Sequence, residues 1–248
     1  MRRWFVLFLL AGCAQGSKQE HQFGDYPDGG MDAAASSDAP AADAAPVCAV
    51  ARSVYLNFTG TTLAQGATSD ATQNIAAWMN KATGTAPAFR VGVGTRDADI
   101  ATITTGITNA LSPFHVLVVT TRPAMGPYQE IIFGGTNTQV GSAFSGAVQK
   151  LDCGNVVLSD VAWVGDNIGQ TPQVAINFAL GAVGFGVGLT ATTATTDCMC
   201  GWDNSCSPNF TQVCSFSASI ARDGTANQLC AGVTDQNEPA SLMNAFCQ

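Results

Sequence analysis

The sequence predicts an α+β fold, a mixed twisted sheet flanked by helices with a cysteine-rich C-terminal part, on three observations. Short alternating or β-branched runs recur between segments whose apolar residues follow a helical period. Beyond residue 46 about 200 residues remain, enough to bury one sizeable core. Five of the nine cysteines fall between Cys198 and Cys230, where regular periodicity is poor, so covalent staples are expected to stand in for core there.

The elements are taken in chain order. Arg2 and Arg3 form a basic start, residues 4–10 an apolar run, and Leu10-Ala11-Gly12-Cys13 a lipobox, the signal for lipid on Cys13 and cleavage before it. Residues 1–12 are thus expected to be a lipoprotein signal peptide, too short to span a bilayer. A plain secretory signal with a chance cysteine is the alternative. Several acyl chains on one cysteine anchor stably, and Ala14, where aspartate would favour inner-membrane retention, points to the outer membrane. Residues 13–46 are rich in Ala, Asp, Gly, Ser and Pro and cannot bury enough surface to offset ordering, so they read as a disordered tether. Such a coil has a root-mean-square span of about 30 Å.

Residues 47–248 form the folded domain, with 187–248 as its cysteine-rich part. The run SVYLNF from Ser53 alternates and reads as a strand. Ser69-Asp70 is expected to cap a helix to about Lys81, with Ile75, Trp78 and Met79 inward. Ile100, Ile103, Ile107 and Leu111 recur at helical spacing and stop before Pro113. Residues 114–120 read as a strand buried on both faces; residues 128–133 and 160–164 read as further strands. Thr171 and Pro172 are an N-cap and N1 pair for a helix through the uncharged run VAINFALGAVGFGVGL at 174–189. That run reads first as a buried core helix. Extended to Ala191 it reaches the lower length of a membrane span, with Gly184 and Gly188 in the spacing of helix pairs. Four glycines from Gly181 on, Asn177 and the lack of basic flanks oppose that.

The same run has the frame H-E-x-x-H-x-x-G-x-x-H without its chemistry. Two histidines four apart share one helix face and one metal, a glycine turns the chain toward a third, and a glutamate beside the first polarises the zinc-bound water. With the glycine set on Gly186, the histidine positions are Ala179, Val183 and Leu189, the glutamate position is Leu180, and Met199 is the Met-turn residue. The segments SVYLNFTG at Ser53, SPFHVLVVTTRPAMGPY at Ser112, LDCGN at Leu151 and TTDCMC at Thr195 resemble, in order and spacing, secreted bacterial metzincin-like zinc metallopeptidase domains over 47–248. The resemblance implies a zincin-like fold and a zinc peptidase; the loss of every ligand and of the base implies an inactive one. His21 and His115 are the only histidines, one in the tether and one in a strand-like run, so no three-histidine zinc site can form and no cofactor is expected.

The remaining candidates are weak. Less Cys13, the cysteines are Cys48, Cys153, Cys198, Cys200, Cys206, Cys214, Cys230 and Cys247, an even set that implies four disulfides of open connectivity in an exported domain. Metal binding by Cys198 and Cys200 is the lesser alternative, since thiolates in an oxidising compartment pair. Gly92, Gly94 and Gly134-Gly135 read as turns, for no lysine-serine pair follows them. Ser142 and Ser145 lack a histidine apart from His115, and Asp152 with Asp160 could pair as catalytic carboxylates but suit turns better. The sequons at Asn57 and Asn209 are read as incidental. A formal charge of −8, or −10 once Arg2 and Arg3 are removed, argues against nucleic acid and anionic lipid as partners. The expected function is peptide or protein binding by an inactive domain tethered to the membrane by its lipid; an enzyme of non-zinc chemistry and a purely structural envelope protein are the alternatives. The discriminator is whether a polar cluster lines the groove next to Ala179 and Val183.

Overall fold

A computed structural model of the chain describes residues 52–166, 171–203 and 206–246. The predicted signal peptide, Cys13, the tether, Cys48 and Cys247 lie outside the described residues. In order come β1 (Ser53–Asn57), β2 (Thr61–Gln65), β3 (Ile75–Ala76), β4 (Thr83–Ala86), α1 (Arg96–Leu111), β5 (Leu117–Val119), β6 (Tyr128–Phe133) and α2 (Asn137–Val140). Then follow β7 (Ala147–Val148), β8 (Val161–Val164), α3 (Pro172–Gly186), β9 (Ile220–Ala221), β10 (Asp235–Gln236) and α4 (Glu238–Phe246).

Strand periodicity builds two cores, one on each face of a mixed five-stranded sheet of order β5-β1-β6-β8-β7. All its pairings are parallel except that of β7, which runs antiparallel to β8 at one edge. Val54, Leu56, Ile131, Phe133, Ala162 and Val164 point to one side, where α1 and α3 pack on them. Tyr55, Tyr128, Ile132, Val161 and Trp163 point to the other, beneath a small β3-β2-β4 sheet that contributes Leu63, Ala76 and Ala86. The expected strands at 53–58, 128–133 and 160–164 and the helix ending at Leu111 are all present, the last with Ile103, Ile107 and Leu111 buried. The mixed sheet flanked by helices is therefore as the sequence predicts.

One expected element is absent and another differs in burial. No helix occupies 69–81: Asp70 accepts from the Thr72 amide and caps a single 3-10 turn, Asn74 ends it in the left-handed region at φ 57°, and Ile75–Ala76 then pairs with β2. The aspartate turn and the ladder satisfy the backbone groups that a helix would have used. Nor is 114–120 a doubly buried strand. Residues 112–114 make a 3-10 turn, His115 is exposed at φ 59°, and β5 is an open edge with Leu117 55% exposed. Pro172 opens α3 as expected, but the Thr171 side chain makes no capping hydrogen bond.

Disulfides join Cys153 to Cys230, Cys198 to Cys214 and Cys200 to Cys206. They supplement a core and do not replace one: Cys198, Met199, Cys214, Leu242 and Phe246 bury into the α1/α3 side of the sheet. Among the described residues no helix is long and apolar enough to cross a membrane.

Candidate functional site

Each face of α3 has a different neighbour. Ile176 meets α1 at Gly106, Gly186 meets the side chains of Gln129 and Gln149, and the Gln129 Nε2 donates to the Ala182 carbonyl at 3.0 Å. Asn177 accepts from the Cys214 amide and donates to the carbonyls of Asn209 and Gln212, so it fastens the helix to the cysteine-rich segment. Gly184 lies against Met199. Gly181 lies against the indole of Trp202, where any Cβ would overlap the ring.

Helix geometry then sorts the predicted positions. At about 100° per residue, Ala179 and Val183 lie about 160° round the helix from Gly181. Both are fully buried between the sheet and α1, as Leu180 is within the same core. Phe178, Gly181 and Phe185 share the opposite side, with Trp202 packed at 5.2 Å from the Phe185 ring and 6.5 Å from that of Phe178. The chain turns beyond α3 at Gly188, whose φ is 86°, and not at Gly186, the last helical residue. Leu189 and Met199 are buried under that turn, and the Thr192 amide donates to the Met199 carbonyl.

The open ground beside α3 is a groove of about 320 Å³ between residues 143–147, Phe178, Gly201 and Trp202. One wall is the free edge of β7. The Gly165 amide donates to the Gly146 carbonyl, and because antiparallel pairs alternate, the N–H and C=O of Ala147 point away from β8 along the open side. Behind Trp202 lies a pocket of only about 10 Å³, lined by Asn177, Phe178, Phe210 and the Cys198–Cys214 bridge among others. Asp197 is the one ionisable residue of these two linings, and its oxygens are spent on the Met199 amide, the Thr192 hydroxyl and the Ser217 hydroxyl. Among the described residues, Ser145 and the Trp202 indole carry the only polar side-chain groups of the groove lining.

The other candidates fall elsewhere. Asp152 and Asp160 do meet, at a pocket of about 130 Å³ with Ser69 and Lys150. Burial lifts the Asp160 carboxyl to about 6 and lowers the neighbouring Arg52 guanidinium to about 10 against the pull of both aspartates. Asp160 is saturated by the Val161 amide and Gln149, and Asp152 holds the Val157 amide, so the pair pins loops. Ser142 closes a turn on Phe144. Gly134 and Gly135 take φ 126° and 73° against Pro87, as a turn requires. Asn57 is buried on Glu130. Among the described residues no three His, Cys, Asp or Glu side chains converge where they could hold a metal ion, and six of the cysteines are committed to bridges.

No family model matches this sequence, and no curated protein or solved structure does either. Sequence reasoning read Gly181 only as a cost to a membrane helix, and it passed over Trp202 and the β7 edge. A usable signal existed in Gly184, Gly186 and Gly188, three equally spaced candidates for the motif glycine, which left its register open by two residues either way.

Proposed function

We propose that residues 47–248 are a metzincin-like domain that has lost its zinc site and acts by binding an extended peptide, and that a lipid on Cys13 holds it at the cell envelope, on the outer membrane. The observation that carries the binding reading is the groove itself, in which a free β-strand edge at Ala147 runs beside the aromatic face of α3. A strand edge offers main-chain hydrogen bonds to any extended peptide, and an adjoining apolar pocket selects among side chains.

The fold favours a shift of the motif. With the glycine on Gly188, the residue that makes the left-handed turn, the histidine positions become Gly181, Phe185 and Ala191 and the glutamate position Ala182. Gly181 and Phe185 then share the groove side of α3, as two ligands of one metal must, whereas Ala179 and Val183 face the core. In either frame the positions offer no lone pair and no base. These residues do not fit a zinc ion, and no hydrolytic step is assigned to them. Three disulfides agree with an oxidising, exported setting.

The test is calorimetric titration with extended hexapeptides, using Ala147→Pro as the control. Proline removes the outward N–H of Ala147 and leaves the ladder to β8 intact. Peptide affinity should fall about tenfold or more, the cost of one to two hydrogen bonds, at an unchanged melting temperature. An Ala147→Pro variant that binds as well as the parent, or a parent that binds no hexapeptide, defeats the proposal.

A further inference from the structure

Trp202 stands out among the tryptophans of the domain. The indole N–H of Trp78 donates to the Val161 carbonyl and that of Trp163 to the Gly134 carbonyl, both at 2.8 Å. The Trp202 N–H has no hydrogen-bond partner among the described residues, and the ring packs on Phe178, Phe185 and the bare backbone at Gly181. The small pocket and the larger groove are both lined by Phe178 and by Trp202 itself. Its backbone is held nearby, because Cys200, two residues earlier, is bridged to Cys206. A rotation of the side chain would join the two cavities.

We propose that Trp202 is a displaceable plug, and that the seat it fills on Gly181 is the pocket for an aromatic side chain of the bound peptide. This rests on the peptide-groove reading above. Complementarity decides the occupant. The seat already fits an aromatic ring, its walls are the rings of Phe178, Phe185 and Phe210, and Asp197, the one carboxylate at its back, is fully engaged. A charged side chain would enter without a partner and bear its desolvation uncompensated. An incoming phenyl group replaces the ring contacts that the indole gives up, so the exchange is close to balanced when peptide is bound, while in the free chain the open state is the minor one.

Fluorine NMR of the full chain labelled with 5-fluorotryptophan tests this, the Trp202 line being assigned by its loss in Trp202→Phe. That line should show exchange between two states while those of Trp78 and Trp163 do not. Gly181→Ala, whose methyl group evicts the ring, should move it to the minor position, and a hexapeptide of alanine and serine with one phenylalanine should move the parent line the same way. A single sharp Trp202 line that the hexapeptide leaves in place overturns the plug even if Gly181→Ala fails to fold. If calorimetry shows the hexapeptide bound while the line stays fixed, the plug falls and the groove stands. If the line exchanges and shifts in Gly181→Ala but no hexapeptide binds, Trp202 moves without admitting a peptide, and the pocket falls together with the groove reading.

Discussion

Glu238 is fully buried, and so is Asp197 beside it. Ser217 bridges them, donating its amide to Glu238 and its hydroxyl to Asp197, each at 2.8 Å, while Gln236 donates to the other Glu238 oxygen. Burial, and then the charge of Asp197, lifts the Glu238 carboxyl from 4.5 to about 8. A folded-state pKa above the unfolded one means that the native state holds the proton more tightly. Its contribution is complete below about 4.5 and is lost as pH rises toward 8. Melting temperature should therefore fall across that interval, and Glu238→Gln, neutral at every pH, should flatten the slope. A variant whose pH profile parallels the parent's would assign the slope elsewhere. Nothing in the sequence announces this pair, because burial brings together residues 41 positions apart. Gly188 is the opposite case, visible as a residue but not as a conformation: only the fold shows which of three glycines is left-handed.

At the scale of elements, α1 is legible from its helical period because one face is buried, and β1, β6 and β8 from short apolar-rich runs because both faces are. These runs report a core that the chain itself builds. Between residues 69 and 81 the apolar spacing imitates a helix, but Asp70 and Asn74 impose turns, and Trp78 reaches across to β8. The strand at β5 was legible as a strand and misjudged in burial, since being an edge is a property of the sheet. The bridges rank by the loops they close. Chain-entropy bookkeeping gives about 4.5 kcal/mol for a loop the length of that between Cys153 and Cys230 and about 2 kcal/mol for the short one between Cys200 and Cys206. Paired alanine replacement should lower denaturation midpoints in that order, and a larger loss from the short bridge would mean that it packs Trp202 as well as closing a loop. The register of α3 is testable in the same way. With Trp202→Ala to clear the space, Gly181→His, Ala182→Glu, Phe185→His and Ala191→His together should take up one zinc per chain. The set built on Ala179, Leu180, Val183 and Leu189 should take up none and lose stability, because its histidines would enter the packed core. Zinc in the second set and none in the first would restore the frame on Gly186; zinc in neither would remove the metzincin relationship.

For the molecule as a whole, two attachments to a membrane were conceivable from the sequence, a lipid on Cys13 or the apolar run of α3. In the fold α3 is 15 residues long and nearly all of it is buried under the sheet, with Asn177 holding loop backbone, so that run is spent on the interior. The acidic chain is not drawn to anionic lipid by charge either, being at −8 over its whole length. Lipid on Cys13 is then the attachment that the sequence supports, and removing it should release the protein. An unprocessed Cys13→Ser precursor would keep residues 4–10 and could cling by them, so the decisive form fuses an ordinary cleavable secretory signal directly to Ala14. That form should partition into the soluble fraction of the periplasm while the parent sediments with membranes and resists extraction by high salt, as acyl anchoring does and charge attraction does not. Continued sedimentation of the unlipidated form, in salt as well as without it, would mean that the folded domain binds the envelope through a surface of its own, and the groove beside β7 would be the first place to seek the contact.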